Sequence, residues 1–369
     1  MGDGKEKRRE VGELEDEENF SNAMQLSTSI VVSMALQSAS ELGVFDVLKD
    51  AGEAAKLSAK EIASKLSCNN PEAASMLDRL LALLASHSIL NSSLTPHQPF
   101  HRLYTITPVA KFFAPTSHAG SLAPLLALFH DNVFLQSWSE LKNAIKEGGI
   151  PFNRVYGTHA FEYPSLDPRF NQVFNAAMVN HTRLVMNKVL ECYQGFEDIK
   201  RLVDVGGGLG ININLITCKY PHIEGINFDL PHVVQHAPSS PGVKHVGGDM
   251  FESVPKGDAI FMKVREPPST YWILHDWSDE KCLKLLKNCY DAIPDNGKVI
   301  VVEAVPLMMP ESGAAWKSIC QLDVFMMTQN PGGKERTEQE FMELATAVGF
   351  SGIRYECYVR TYWVMEFFK

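Results

Sequence analysis

The sequence predicts an α/β chain in two parts: a mainly helical, winged-helix-like amino-terminal part, then a Rossmann-like parallel sheet covered by helices. Three observations carry this. From Ile199 to Lys369, short apolar runs ("RLVDVG", "GINFDL", "VKHVGGD", "DAIFMK", "GKVIVVEAV", "YVRTYWVMEFF") alternate with amphipathic segments, the pattern of strands joined by crossover helices. The run "LVDVGGGLG" (202–210) ends a strand in glycines, which lets a ligand approach the backbone beside a helix N-terminus. Ahead of residue 120, capped helix starts follow one another and lead into a β-like stretch.

The opening residues, "MGDGKEKRREVGELEDEENF", are dense in charge, so residues 1–18 are predicted to be a disordered tail that buries too little apolar surface to order. Residues 23–48 read as a helix apolar on more than one face, which predicts packing against a second subunit. "SAKEIASKL" (58–66) starts with a capping box, Ser58 followed by Glu61. "NPEAASMLDRLLALLASHSIL" (70–90) starts with Asn70 as cap and Pro71 in the first turn. Two β-like pieces are expected around "RLYTITPVAKFF" (102–113). Helix, turn, helix and hairpin outline a winged helix, which elsewhere binds DNA. Here the second helix sets only Arg79 among Leu81, Leu83 and Leu84. Residues 120–195 read as helices and loops broken at "GGIPF" (148–152).

Composition narrows the function classes. The 369 residues carry a formal charge of −10, whereas a nucleic-acid surface needs a basic footprint. Seven cysteines are scattered with no CxxC pair, which predicts reduced thiols and a cytoplasmic protein. No run approaches the ~20 apolar residues of a membrane span. Neither HExxH nor paired Cys/His spacing nor an EF-hand loop occurs, so no metal is expected.

The glycine loop lacks the third-glycine spacing of a dinucleotide fingerprint, because Gly206 and Gly208 are followed by Gly210 and Ile211. A dehydrogenase is disfavoured on that ground. Asp229 and Asp249 end the next two strands, where carboxylates suit ribose hydroxyls and an adenine amino group, and Met250 suits the adenine face. His275, in "WILHDWSDE", follows the fourth strand on the same sheet edge. A phenol, with pKa near ~10, is mostly protonated at neutral pH, and a histidine is the natural base to remove its proton. Such a base needs a carboxylate to fix its tautomer; Glu303, ending the fifth strand, and Glu335 are the candidates.

Together "LVDVGGG", "GINFDLPHV", "PGVKHVGGDMF", "HDWSDEKCLKLLKNCY", "DNGKVIVVE", "NPGGKERT" and "GIPFNRVYG…AFEY…DPRFNQVFN" make the chain, from about Ala23 to its end, resemble plant O-methyltransferases of the caffeic acid type. These are class I enzymes dependent on S-adenosylmethionine (SAM). The resemblance implies a winged-helix-like dimerisation domain over 19–119, a helical substrate-pocket segment over 120–195 and a SAM-dependent methyltransferase domain over 196–369. It implies transfer of the SAM methyl group to a hydroxyl of a small phenolic, a phenylpropanoid or flavonoid, by a homodimer that uses neither metal, nucleic acid nor membrane. His275 would be the base, flanked by Glu303 and Glu335. Gly206, Asp229, Asp249, Met250 and Lys263 would hold SAM. Phe129, Phe134, Ala160, Phe170, Phe174, Met178, His181, Phe325, Met326 and Asn330 would line the acceptor pocket.

The chain departs from the family at Leu209, at Pro164 (a histidine in typical caffeic acid enzymes) and at His130 (an asparagine). Most unusual is "VREPPSTY", Val264 to Tyr271, inserted where the family runs from "MK" straight into "WILHDW". The insertion separates Lys263 from His275, and a misplacement of ~1 Å can cost on the order of 10²-fold in rate. The alternative reading is therefore a SAM-binding member whose turnover is impaired. On that reading, deletion of 264–271 is expected to raise kcat at least about tenfold, ~1.4 kcal/mol of transition-state stabilisation. An unchanged or lower rate in single-turnover assays would count against impairment.

Overall fold

The computed structural model describes residues 3–95, 98–115, 119–160, 162–263 and 273–369. The chain forms two compact units, Met1–Pro115 and Thr116–Lys369. In the first, α1 (Asp3–Ser27), α2 (Ser29–Glu41) and α3 (Val44–Ala51) come in succession. Helix α1 runs through the charged stretch whose composition predicts a tail, and its residues 14–27 are all exposed. The single helix expected over 23–48 is corrected to three. It breaks at Thr28 and again at Gly43, whose φ of +81° is left-handed backbone that glycine takes without a Cβ penalty. Helix α3 consequently leaves α2 at 63° and buries Val44, Phe45 and Leu48.

β1 (Leu57–Ser58) leads into α4 (Ala59–Lys65) through the expected capping box. The Ser58 hydroxyl accepts from Glu61 N at 3.3 Å, and the Glu61 carboxylate accepts from Ser58 N at 2.7 Å. α5 (Ala73–Ser86) starts just beyond Pro71, after a turn in which Asn70 Oδ1 accepts from Glu72 N at 3.0 Å. β2 (Leu90–Thr95) and β3 (Gln98–Ile106) pair as an antiparallel hairpin, with β1 on the far side of β3. Thus the partner of β3 precedes it. Residues 107–113, expected as a second β-piece, turn instead through Thr107, whose hydroxyl accepts from Ala110 N, into a 3-10 turn at Ala110–Phe113. Pro108 cannot donate to a strand ladder.

The second unit opens with α6 (Ala123–Phe129), α7 (Asn132–Ser137), α8 (Leu141–Glu147), α9 (Pro151–Tyr156) and the 25-residue α10 (Pro168–Cys192). The elements β4 (Arg201–Val205), α11 (Ile211–Lys219), β5 (Glu224–Asp229), α12 (Pro231–Val234), β6 (Val243–Gly247), β7 (Ala259–Lys263), α13 (Asp279–Ala292), β8 (Lys298–Glu303), α14 (Ala314–Gln329), α15 (Glu338–Val348), β9 (Gly352–Val359) and β10 (Tyr362–Phe368) complete it. The seven-stranded sheet has the order β6-β5-β4-β7-β8-β10-β9. Five strands are parallel, but β10 runs antiparallel to both β8 and β9. The all-parallel expectation is corrected here: the final apolar segment holds a tight turn at Arg360 (φ +61°), and so short a connection permits only an antiparallel return.

Alternate strand residues build two cores. Val203, Val205, Ile260, Met262, Val299 and Val301 pack with Leu285, Leu286, Phe341 and Leu344 of α13 and α15. Leu202, Phe261, Ile300 and Val302 pack with Val185, Val189, Ile213 and Ile216 of α10 and α11. The order reverses at β4, and in such sheets ligands bind outside the carboxyl ends of the strands at that switch. Among the described residues, no single helix is long and apolar enough to cross a membrane.

Phe20, Met24, Leu26, Ile30, Val31 and Met34 remain exposed on α1 and α2, an apolar surface that suits an interface. Light scattering at low micromolar concentration is expected to give about twice the 41.1 kDa chain mass. A monomer with full activity would overturn this.

Candidate active site

The sheet register brings the sequence-predicted polar residues to one edge. Asp229 is level with Gly247, two residues before Asp249. Lys263 is level with Val302, beside Glu303. His275 sits on a 3-10 turn, Leu274–Asp276, just ahead of α13. His275, Asp276, Glu303 and Glu335 are all buried.

His275 Nδ1 lies 2.8 Å from Glu335 Oε1 and 3.6 Å from Glu303 Oε2. An ionised carboxylate only accepts, so Nδ1 carries the proton of this bond. That leaves Nε2 as the basic nitrogen of the neutral ring. Glu303 also fixes the turn, because its Oε1 accepts from Leu274 N at 3.0 Å. Burial disfavours the imidazolium, but Glu335, Glu303 and Asp276 together outweigh it and raise the His275 pKa to about 10. Burial pushes Glu303 upward, against the pull of His275, and holds Asp276 well above the usual carboxylate range.

The glycine loop that ends β4 turns through Gly206 (φ +65°) and Gly208 (φ +39°). A Cβ on Gly207 would stand 1.9 Å from Asn227 Oδ1, so only glycine fits there. Asp229 Oδ2 accepts from Gly208 N at 2.8 Å and Oδ1 from Leu230 N at 2.7 Å. Asp249 is part-exposed and accepts from Phe251 N at 2.8 Å. Met250 is buried in the core that includes Val205 and Ile260. Lys263 Nζ is 3.4 Å from Thr182 Oγ1. A glycine-lined loop followed by carboxylates at two successive strand ends fits a nucleoside with an amino-acid tail. Leu209 lies within this loop.

Eight of the ten acceptor candidates fall in one apolar cluster: Phe129, Phe134, Ala160, Phe170, Phe174, Met178, Phe325 and Met326. Phe134 is central, with edge-on contacts to Phe170 at 5.2 Å and Phe325 at 5.0 Å. Such apolar walls suit an aromatic guest. Asn330 lies outside the cluster and bridges it to the turn. Its Nδ2 donates to Asp276 Oδ1 and lies 3.5 Å from Met326 Sδ. His181 lies apart too, with Nε2 3.2 Å from the Tyr362 hydroxyl. Burial, with Lys263 and His275 nearby, lowers its pKa to about 3, so it is a neutral hydrogen-bonding group. Pro164 lies in the turn Tyr163–Ser165, whose Tyr163 ring packs edge-on against Phe170 at 5.7 Å.

Sequence reasoning missed Asp276, Tyr362 and Arg336. Asp276 is adjacent to His275 in the chain, a signal that could have found it. Tyr362 comes from the antiparallel strand that pattern reading merged with its neighbour. Arg336 sits in a charged run, "GKERT", that reads as solvated, yet its side chain is fully buried. The inserted residues 264–271 lie outside the described residues.

Residues 138–351 match the O-methyltransferase domain family, and residues 24–116 match the O-methyltransferase dimerisation domain. A catechol O-methyltransferase of Solanum lycopersicum is 58% identical over 360 residues, 96% of each chain. A caffeic acid 3-O-methyltransferase of Ocimum basilicum is 51% identical over 357 residues, again 96% of each. The human N-acetylserotonin methyltransferase, solved with SAM, has the same fold at a TM-score of 0.74 and 22% identity, covering 95% of this chain and 97% of that one.

Asp229→Ala removes a carboxylate at the end of β5 that holds the Gly208 and Leu230 amides. It is expected to weaken SAM binding by roughly 1.5–3 kcal/mol, the scale of hydrogen bonds to a charged group. Unchanged calorimetric affinity would show that the edge is used differently.

Proposed function

The chain belongs to the plant O-methyltransferase family of the caffeic acid type, and from that premise we propose that its acceptor is a small phenolic, such as a catechol or phenylpropanoid, deprotonated by His275. As a member of that family it is a SAM-dependent O-methyltransferase, and its dimerisation domain makes it a homodimer. The observation that carries the base assignment is the buried His275–Glu335 pair, backed by Glu303.

SAM, when bound, supplies an electrophilic methyl group on a sulfonium. Gly206, Asp229, Asp249, Met250 and Lys263 are the residues we assign to hold it. The chain's own part is to orient the acceptor and take its proton. The aromatic cluster around Phe134 supports a ring held edge and face, with Asn330 as a polar contact at its border and neutral His181 apart from it beside Tyr362. His275 accepts the hydroxyl proton at Nε2, while Glu335 and Glu303 stabilise the imidazolium that results. A ring raised well above the usual imidazole range by its carboxylates is a stronger base toward a phenol than an ordinary histidine. The free cysteines are the one observation that favours a cytoplasmic location.

Two measurements test this reading. Purified protein with SAM is screened by mass spectrometry against simple catechols, phenylpropanoids, flavonoids and aromatic amines; methylation confined to amines would overturn the phenolic assignment. His275→Gln is expected to lower kcat by about 10²–10⁴-fold with SAM affinity nearly unchanged. In the wild type, a raised pKa leaves the imidazole protonated at neutral pH, so kcat/KM should rise with pH towards the alkaline range. His275→Gln should flatten that rise, and full activity in this variant would sink the base assignment.

A further inference from the structure

We propose that Arg336 is a positioning residue for catalysis, holding His275 in place through the main chain on either side of it. The guanidinium donates from Nη1 to the Leu274 carbonyl at 2.5 Å and from Nη2 to the Trp277 carbonyl at 2.7 Å. Leu274 directly precedes His275, and Trp277 follows it by two. Nε and Nη2 also donate to Asp279 Oδ1 at 2.9 and 2.7 Å, which ties the turn to the start of α13. The next residues up the chain act on the same target. Lys334 N donates to the His275 carbonyl at 2.8 Å, and the Glu335 carboxylate accepts from the ring Nδ1. Three consecutive residues, 334–336, thus hold the backbone and side chain of one histidine.

The turn needs this support. A 3-10 turn of three residues has little hydrogen bonding of its own, and its closing bond, Trp277 N to Leu274 O, is 3.5 Å long. Its carbonyls are buried with the turn and must find donors. Burying a guanidinium is costly unless its donors are met, and the Asp279 side chain opposite it is half exposed. Donors directed at two carbonyls 274 and 277 make sense as a clamp on the turn. A planar fork can span both, whereas a single lysine ammonium cannot match that geometry. Every anchor named here comes from residues after the turn.

The inference rests on His275 acting as base, and the test separates the two. Arg336→Lys, Arg336→Met, Asp279→Asn and His275→Gln are prepared in the full-length dimer. Each is assayed with SAM and the phenol methylated fastest in the screen above, with SAM affinity by calorimetry and the His275 titration by NMR of histidine-labelled protein. Arg336→Lys keeps the charge and loses the fork: kcat should fall at least about tenfold, on the scale that small misplacements produce. SAM affinity and acceptor KM should stay within about threefold, and the His275 titration should hardly move. Arg336→Met also removes a cation that draws down Glu303 and Asp276; those carboxyls then keep their protons more readily and support the imidazolium less, so the His275 titration and the rise in the pH–rate profile should shift downward. Asp279→Asn, whose side chain is half exposed, should lower kcat in the same direction and serves where the Arg336 variants fail to fold. Wild-type kcat in Arg336→Lys, or in Asp279→Asn if that alone folds, overturns the inference. So does a loss of SAM affinity in proportion to kcat, which would mark a general structural role. An active His275→Gln sinks the base reading itself. An inactive His275→Gln beside an unaffected Arg336→Lys sinks only the positioning role.

Discussion

The active edge depends on one buried contact, His275 Nδ1 to Glu335 Oε1 at 2.8 Å. An imidazole out of water is a poor cation, and a lone carboxylate out of water is a poor anion. Together they offset each other, and the bond fixes which ring nitrogen remains to accept a proton. Glu303 adds a second carboxylate on the Nδ1 side and spends its other oxygen on the Leu274 amide. A single sheet-end residue therefore acts on both the ring and the backbone of the His275 turn.

The surrounding structure follows from keeping this contact dry and aligned. Glu303 is placed by β8 and Lys263 by β7, whose register sets Lys263 level with Val302, the residue before Glu303. The loop 330–337 crosses over the turn closely enough that a Cβ on Gly333 would stand 3.0 Å from the His275 carbonyl. Asn330 joins the turn to the aromatic cluster, so the cluster and the His275 turn share one hydrogen-bonded segment.

The glycine loop and the strand ends beside it are organised differently. Their parts are backbone groups and short acids at strand ends, each committed by local bonds: Asp229 to the Gly208 and Leu230 amides, Asp249 to the Phe251 amide. Such groups are set by where strands stop, which is a local property. The aromatic cluster is built from whole side chains on α6, α7, α10 and α14, and these meet only once the helices pack.

Local pattern was enough to determine the alternation of strands and helices, the capping box at Ser58, the glycine loop, and the acids and base at strand ends. Each is written in a few neighbouring residues, and the strand-end residues needed only a parallel sheet to share an edge. Tertiary structure decided what depends on partners distant in sequence. The return of β10 against β8, the break of the amino-terminal helix at Gly43 and the separation of His181 and Asn330 from the aromatic cluster are of this kind. Arg336 is the plainest case: in the sequence it is one more charge in a polar run, and its meaning comes from two carbonyls about sixty residues upstream in the chain, whose need for donors exists only once the turn is buried.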